Sequence, residues 1–452
     1  MKRILTCAIL IASTFAAYSQ SLGYNDLGIL FSKDDNYGTA RFEAMSGAFG
    51  ALGGDISSFS INPAGSAVAN KSTFAATLGN RNTEYTAMYY GNTSVNENDF
   101  FNITQAGGIL SFDSASSSDW SRFALTFNYR LKSDFDSFFS VQGNSGFLFY
   151  PEHLQDQSAT PTQFDRSLNQ SISRETFGES SVLSIGFSSV YQKKLFVGGA
   201  LKFHNIEFNQ RSYFNEINDD IDENILDVVD RENIFYEGSG FSLSLGFIYK
   251  LNQNIRLGLA YETPTWYQEV FEDYSYSFDM APVNNLNIPK YNEGIDHELF
   301  VYKFKSHSRV TASGAYVFGK QGLISIDYTY KDYKSIRFNS PDFEKENQSF
   351  LNDYRNVHSL NVGTEWRFDK MSIRGGYHYE KNPNLISELG GNTNKDNLRG
   401  FSLGLGYKFG STSFDLAYQN SESINYNSLY NLGDIPITNN TSRISGTITF
   451  SL

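Results

Sequence analysis

The chain has 452 residues, a single cysteine and a formal charge of −13. Cys7 sits in the first apolar run, so the rest of the chain offers no disulfide, thiolate metal site or cysteine nucleophile, and an acidic chain without a basic run makes a poor nucleic-acid binder. The mean hydropathy of −0.38 does not exclude a membrane protein, because a strand crossing a bilayer shows lipid only every second residue.

Lys2 and Arg3 precede an apolar run from Ile4 to Ala17, and Ala17-Tyr18-Ser19 supplies small residues for cleavage before Gln20. Residues 1–19 therefore read as a secretory signal peptide. The run is too short for a membrane-spanning helix.

Residues 20–70 are expected to form an N-terminal hatch inside whatever the remaining chain encloses. From Arg41 to Asn70 the sequence is rich in Gly and Ala, which lets short helical turns pack closely, and Asp55 is its only charge after Glu43. It closes on Asn62-Pro63-Ala64-Gly65, where Asn62 can cap and Pro63 can open a short helix.

Residues 71–452 carry two-residue alternation. Phe401, Leu403, Leu405, Tyr407 and Phe409 alternate with Gly400, Ser402, Gly404, Gly406 and Lys408; the pattern recurs at Phe123/Leu125/Phe127/Tyr129/Leu131, Phe241/Leu243/Leu245/Phe247/Tyr249 and Ile324/Ile326/Tyr328/Tyr330. These runs exceed ordinary globular strands and match the ~9–11 residues of a membrane crossing. Short turns at residues 192–194, 252–254, 319–321 and 369–370 alternate with long polar excursions at 144–179 and 214–233, and tyrosines at 89–90, 328/330/333 and 377/379 suit interfacial girdles. The fold class is all-β: a transmembrane antiparallel barrel of about 14 strands, provided that residues 72–91 form one strand. Ser442 to Leu452 alternates to the last residue, as the strand that closes a barrel must. A closed barrel leaves no unpaired edge, so a monomer is expected.

Alternation places Asp327, Glu365, Arg367, Arg374, His378 and Asp415 in the lumen. As a set they read as an ion-pair network that orders the wall and anchors the hatch; alternatively Arg367 or Arg374 stops an anionic head group. Gly107 and Gly108 weaken the second strand and are candidates for a lateral opening. No enzyme is expected: in Ser306-His307-Ser308 neighbouring side chains on a strand face opposite ways, and the six histidines show no metal-ligand spacing.

The Gly/Ala-rich hatch ending in Asn62-Pro63-Ala64-Gly65, together with RVTASGAYVFG (309–319), ISIDYTYKDYKSI (324–336), SIRGGYHYEKNP (372–383) and GFSLGLGYKFG (400–410), resembles the FadL/TodX family of outer-membrane transporters. The resemblance implies passive uptake of long-chain fatty acids or similar hydrophobic compounds, without a cofactor, through a hatch gated at residues 62–65. It also implies lateral exit into the membrane at a kink in the third strand, here Ser121 to about Gln142 with its polar break at 132–134. The expected partners are a hydrophobic ligand, outer-membrane lipids and the barrel assembly machinery, which reads the terminal strand. Two alternatives stand beside it: a haem receptor using an exposed loop histidine, His153 or His297, as axial ligand, and a structural barrel without transport.

Overall fold

The computed structural model describes residues 22–114, 118–156, 160–283, 288–385, 396–428 and 434–452. β1 (Thr73–Tyr89) and β2 (Asn92–Asp113) form the first hairpin, and β3 (Trp120–Asp134) and β4 (Ser137–Gly143) are halves of one broken strand. β5 (Arg166–Tyr191), β6 (Leu195–Asp219) and β7 (Ile225–Lys250) follow as the longest strands. β8 (Ile255–Glu262) continues into β9 (Trp266–Pro282), and β10 (Tyr291–Lys305) into β11 (Arg309–Phe318). β12 (Gly322–Lys331), the two-residue β13 (Arg337–Phe338), β14 (Val357–Phe368), β15 (Met371–Glu380), β16 (Leu398–Phe409), β17 (Thr412–Ser428) and β18 (Asp434–Ser451) complete the wall. With the broken strands joined and β13 set aside, the described residues make fourteen crossings. Residues 73–89 are one strand, which is what the even count required. β18 pairs antiparallel with β1 from Thr73↔Ser451 to Ala87↔Ile437 and closes the barrel.

The outer surface is a belt of exposed Leu, Ile, Phe and Tyr, among them Leu201, Phe203, Leu243, Leu245, Leu257, Leu259, Leu403 and Leu405. Water does not favour such a belt, whereas lipid does. Trp120, Tyr191, Tyr249, Trp366, Phe368 and Phe409 lie toward its short-turn edge, and Tyr261, Tyr328, Tyr377 and Phe401 toward its loop edge.

At the loop edge the alternation inverts. Along β6, Leu201 and Phe203 face out while Lys202 and His204 are buried; beyond them Asn205, Glu207 and Arg211 face out while Ile206, Phe208 and Phe214 are buried. β7 does the same, from Phe241, Leu243 and Leu245 outside to Ile234 and Tyr236 inside. A strand that leaves lipid for water must turn its apolar side inward.

Two expectations are corrected by this. Residues 166–179 of the first polar stretch and most of 214–233 are continued strand, since β5, β6 and β7 pair with one another far beyond the belt, whereas the stretch before Arg166 is the long connection expected. Tyr89 is no girdle residue: it lies on this outer extension and packs with Ala87, Phe139, Ile172 and Phe214.

The N-terminal segment fills the lumen. It comprises α1 (Tyr24–Ser32), α2 (Ala40–Glu43), α3 (Ser58–Ile61) and a 3-10 turn, Pro63–Val68. α4 (Glu344–Asn352), between β13 and β14, meets α1 so closely that a Cβ on Gly28 would stand 2.8 Å from the Phe350 ring.

Candidate functional site

The lumen has three tiers. At the short-turn end the hatch is tied to the wall by charge. Arg41 Nε donates to Glu365 at 2.7 Å; Arg374 donates to the same carboxylate at 2.7 Å and to Asp415 at 2.6 Å, and Arg367 reaches Glu365 at 2.6 Å. Four of the six lumen residues read from the sequence are thus brought together. Asp327 stands apart and accepts the backbone N–H of Gly50 at 2.8 Å, while His378 pairs with Asn361 at 2.6 Å, near Glu380 and away from the network. In this structure both arginines are engaged, Arg367 by Glu365 and Arg374 by Glu365 and Asp415.

The hatch motif sits against the wall. Asn62 accepts the N–H of Ala64 at 3.1 Å and so caps the turn that Pro63 opens, and its Nδ2 donates to Gly50 O at 2.8 Å and to Phe247 O at 3.0 Å. The last contact needs Gly246 in the wall, since a Cβ there would stand 2.1 Å from Asn62 Oδ1. The Gly65 Cα side is equally filled, with Ser58 Oγ 2.6 Å from an added Cβ. Sequence reasoning missed the wall glycines as a hatch seat; the signal was glycine at inward positions, as at Gly246 and Gly258. Within the hatch, burial pushes the carboxyls of Asp55 and Glu43 above their ordinary values.

The middle tier is a polar chamber lined by Arg130, Lys132, Lys202, Arg309 and Lys331 with Asp34, Glu262, His204 and His307. Asp34 pairs with Arg130 at 2.7 Å and Arg309 at 3.2 Å; Glu262 pairs with Lys202 at 2.5 Å and Arg309 at 2.7 Å. Although burial opposes its ionisation, Arg130 and Arg309 hold the Asp34 carboxyl well below the usual range. The wall cations also grip backbone carbonyls of the hatch. Lys132 Nζ donates to Phe31 O at 3.0 Å, and Lys202 and Arg309 donate to Ser60 O at 3.1 and 2.9 Å. Phe31 O and Ser60 O lie at the C-terminal ends of α1 and α3, where orphan carbonyls favour cations. The cavity left is about 20 Å³, room for roughly one water.

His307 belongs to this tier. Its two ring nitrogens lie against carbonyl oxygens, Ser308 O at 3.1 Å and Ser32 O at 3.2 Å, and the Oγ of Ser306 accepts from the Thr265 N–H. No Ser–His pair forms there.

The outer tier is apolar. Ile206, Phe208, Ile234, Tyr236, Val270, Phe304, Phe338 and Phe350 surround Leu27 and Phe31 of α1. The Phe31 ring lies 5.8–6.4 Å from the rings of Phe135, Phe208, Tyr236 and Phe304. One fully buried side chain of this kind contributes about 1.5–3 kcal/mol. Of the loop histidines, His153 is buried, contrary to the expectation of an exposed ring, and lies edge-on to Tyr291 where Leu148, Tyr150 and Phe164 pack on Leu226, Val228, Phe278 and Met280; His297 is exposed with Asp273 at 2.9 Å.

Among the described residues the pairing has two long gaps: residues 291–303 of β10 have ladder partners only on β9, and a second gap lies beside β2. The β2–β3 ladder runs from Asp113↔Arg122 to Gln105↔Arg130 and stops, while β2 stays paired with β1 out to Tyr89↔Asn92. β4 pairs only with β5. Residues 92–104 of β2 therefore have no ladder partner on that side among the described residues. At Gly107 and Gly108 the ladder is intact on both faces, so the structure places the discontinuity at the break in the third strand instead. Leu131, outward by alternation, is fully buried because the strand turns into the lumen there, and the register shifts between Leu131 and Ser133.

Among solved structures the chain is similar to a Pseudomonas aeruginosa FadL homologue at TM-score 0.57, with 14% identity over 91% of this chain and 98% of that one. It has the FadL/TodX-type fold. The P. putida toluene transporter TodX matches at TM-score 0.54 with 14% identity over 92% and 99% of the two chains, and the Ralstonia pickettii toluene transporter TbuX at 0.53 with 15% identity over 92% and 99%. No family model and no curated protein matches the sequence.

Proposed function

We propose that the protein is an outer-membrane channel for passive uptake of hydrophobic small molecules, and that its preferred ligands are amphiphiles with an anionic head group. One observation carries this reading: the apolar outer chamber stands directly over the chamber of Arg130, Lys132, Lys202, Arg309 and Lys331. A greasy tail gains from the first and a carboxylate from the second. In this state α1 side chains fill the apolar tier, and the cations are engaged by hatch and wall groups: Lys132 by Phe31 O, Arg130 and Arg309 by Asp34, Lys202 and Arg309 by Ser60 O and Glu262, and Lys331 by Glu380. With about 20 Å³ free, a ligand enters only by displacing hatch atoms, and the hatch is the gate. Exit is assigned to the seam beside the broken third strand. The fold is shared with proteins described as toluene transporters, which supports the hydrophobic class.

The test is ligand protection of the refolded barrel in detergent, with oleate, toluene and haemin as probes. Oleate should raise Tm with concentration, more than toluene at equal free concentration. A rise with toluene alone overturns the anionic preference, a rise with haemin alone moves the reading to a receptor, and no rise with any probe removes the transport reading.

A further inference from the structure

The short-turn end of the barrel carries a charge opposite to that of the chain as a whole. Lys193 and Lys194 lie in the β5–β6 turn, Lys320 in the β11–β12 turn, Lys370 in the β14–β15 turn, Lys408 at the end of β16 and Lys71 ahead of β1. All six are exposed, and among the described residues none has a carboxylate in ion-pair contact. The side-chain carboxylates at this end are Asp113, Asp119 and Asp369, and Asp113 lies 3.5 Å from Arg122. The chain's charge of −13 is therefore carried elsewhere. The outer extension exposes Glu175, Glu207 and Glu237, the last two directly opposite each other on β6 and β7.

Backbone bonds between neighbouring turns hold these lysines at one level. The Gln192 N–H donates to Asp119 O at 2.7 Å, Lys250 N–H to Lys194 O at 2.9 Å, Val317 N–H to Asn254 O at 2.8 Å, Arg367 N–H to Gln321 O at 2.8 Å and Lys408 N–H to Lys370 O at 3.0 Å. Aromatic residues set the depth of that level. Tyr191, Phe318 and Phe368 each precede a lysine by two residues, and Phe409 directly follows Lys408. Trp120 lies 5.1 Å from the Tyr191 ring and Trp366 5.4 Å from the Phe318 ring. Such a girdle marks the membrane interface, and two residues of strand cover about 7 Å. The ammonium groups thus stand at headgroup depth.

We propose that this rim is a collar for anionic phospholipid headgroups, which the barrel gathers around its belt in the leaflet at the short turns. Lysine suits the task, because an ammonium is a point charge that can donate to a phosphodiester from many directions, whereas the arginine fork favours one fixed pose. The lysines are spread round the circumference, which matches a ring of exchanging lipids; a protein partner would need them on one face. The attraction falls off within a Debye length of the charged surface, so the position of the lysines directly behind the girdle matters. The collar stands whether or not the barrel transports.

The test is electron spin resonance of the refolded barrel in phosphatidylcholine vesicles, with a trace of spin-labelled phosphatidylglycerol or spin-labelled phosphatidylcholine of the same chain length. The phosphatidylglycerol label should associate with the protein about fivefold more strongly, the effect of one lysine per headgroup. Salt at about 1 M, where the Debye length is about 3 Å, should remove the preference. Lys193→Gln, Lys194→Gln, Lys320→Gln and Lys370→Gln combined should bring the ratio close to one, whereas Lys290→Gln with Lys345→Gln at the loop end should leave it unchanged. Heat-resistant mobility in SDS shows that each barrel is closed. Equal association of the two labels with the folded parent overturns the collar and leaves the lysines to a soluble acidic partner. A preference that survives the fourfold substitution overturns it as well.

Discussion

Arg41 of the hatch meets Glu365 of the wall as a two-point pair, Nε to Oε2 at 2.7 Å and Nη2 to Oε1 at 3.2 Å. Glu365 is buried, and Arg367 and Arg374 draw on the same carboxylate. Removing the shared acid leaves three cations facing one another, whereas removing Arg41 leaves Glu365 with two partners. Breaking a buried pair from one side costs about 3–5 kcal/mol. Glu365→Gln should therefore loosen the hatch more than Arg41→Gln does, measured as faster protease cleavage within residues 41–70 while the barrel stays heat-resistant.

Gly65 has Ser58 Oγ and Gly53 Cα within 2.6 and 3.1 Å of an added Cβ. Gly65→Val forces apart the turn that Asn62 caps, and overpacking of this kind costs about 1–3 kcal/mol. Asn62→Ala removes the cap and the bond to Phe247 O, of which the cap alone is worth about 1 kcal/mol. Each should cut oleate uptake by cells with the barrel level unchanged; unaltered uptake in both variants would sink the gating role of residues 62–65.

Lys132 Nζ has Phe31 O at 3.0 Å and, among the described residues, no carboxylate in ion-pair contact, which makes it the first wall cation to test for the proposed head-group site. Lys132→Met should lower oleate affinity about tenfold or more, as one charge-assisted bond implies, and leave toluene protection unchanged. Equal losses for both ligands would point to a general packing defect.

Leu27 and Phe31 occupy the outer chamber. Phe31→Ala should destabilise hatch docking by about 3–5 kcal/mol. If ligand enters by displacing the hatch, as proposed, oleate affinity should rise in the same variant, read by titration calorimetry.

The pH response follows from the hatch carboxyls. Burial raises the folded value of Asp55 above 3.8, so the stability it contributes is complete below 3.8 and is lost as pH rises through the folded value. Asp34 is lowered well below 3.8, so it stays ionised in the folded hatch and in the exposed segment alike down to about its ordinary value, and its contribution is constant across pH 5–7. Glu43 is raised by burial too, so the hatch should resist protease better near the ordinary carboxyl value, about pH 4, than at pH 7, and Asp55→Asn should reduce that dependence.

The sequence by itself determined the barrel, because alternation assigns a face to every strand residue and lipid admits only one choice of face. It placed Glu365, Arg374 and Asp415 inward on the same ground, and it marked Asn62 and Pro63 as the start of a capped turn from local backbone chemistry alone. The inversion along β6, from Leu201 and Phe203 outside to Ile206 and Phe208 inside, was also legible in the residues but was masked by reading the polar outward ones as loop. Only the tertiary structure decided which charges meet: Arg41 and Glu365 are 324 positions apart, and facing the lumen says nothing about the partner across it. It also decided where the wall fails, since Gly107 and Gly108 mark a weak backbone whereas a missing ladder depends on the path of the neighbouring strand. Periodicity is a property of one strand, and a site is a property of several, so the fold is written locally and the site is not.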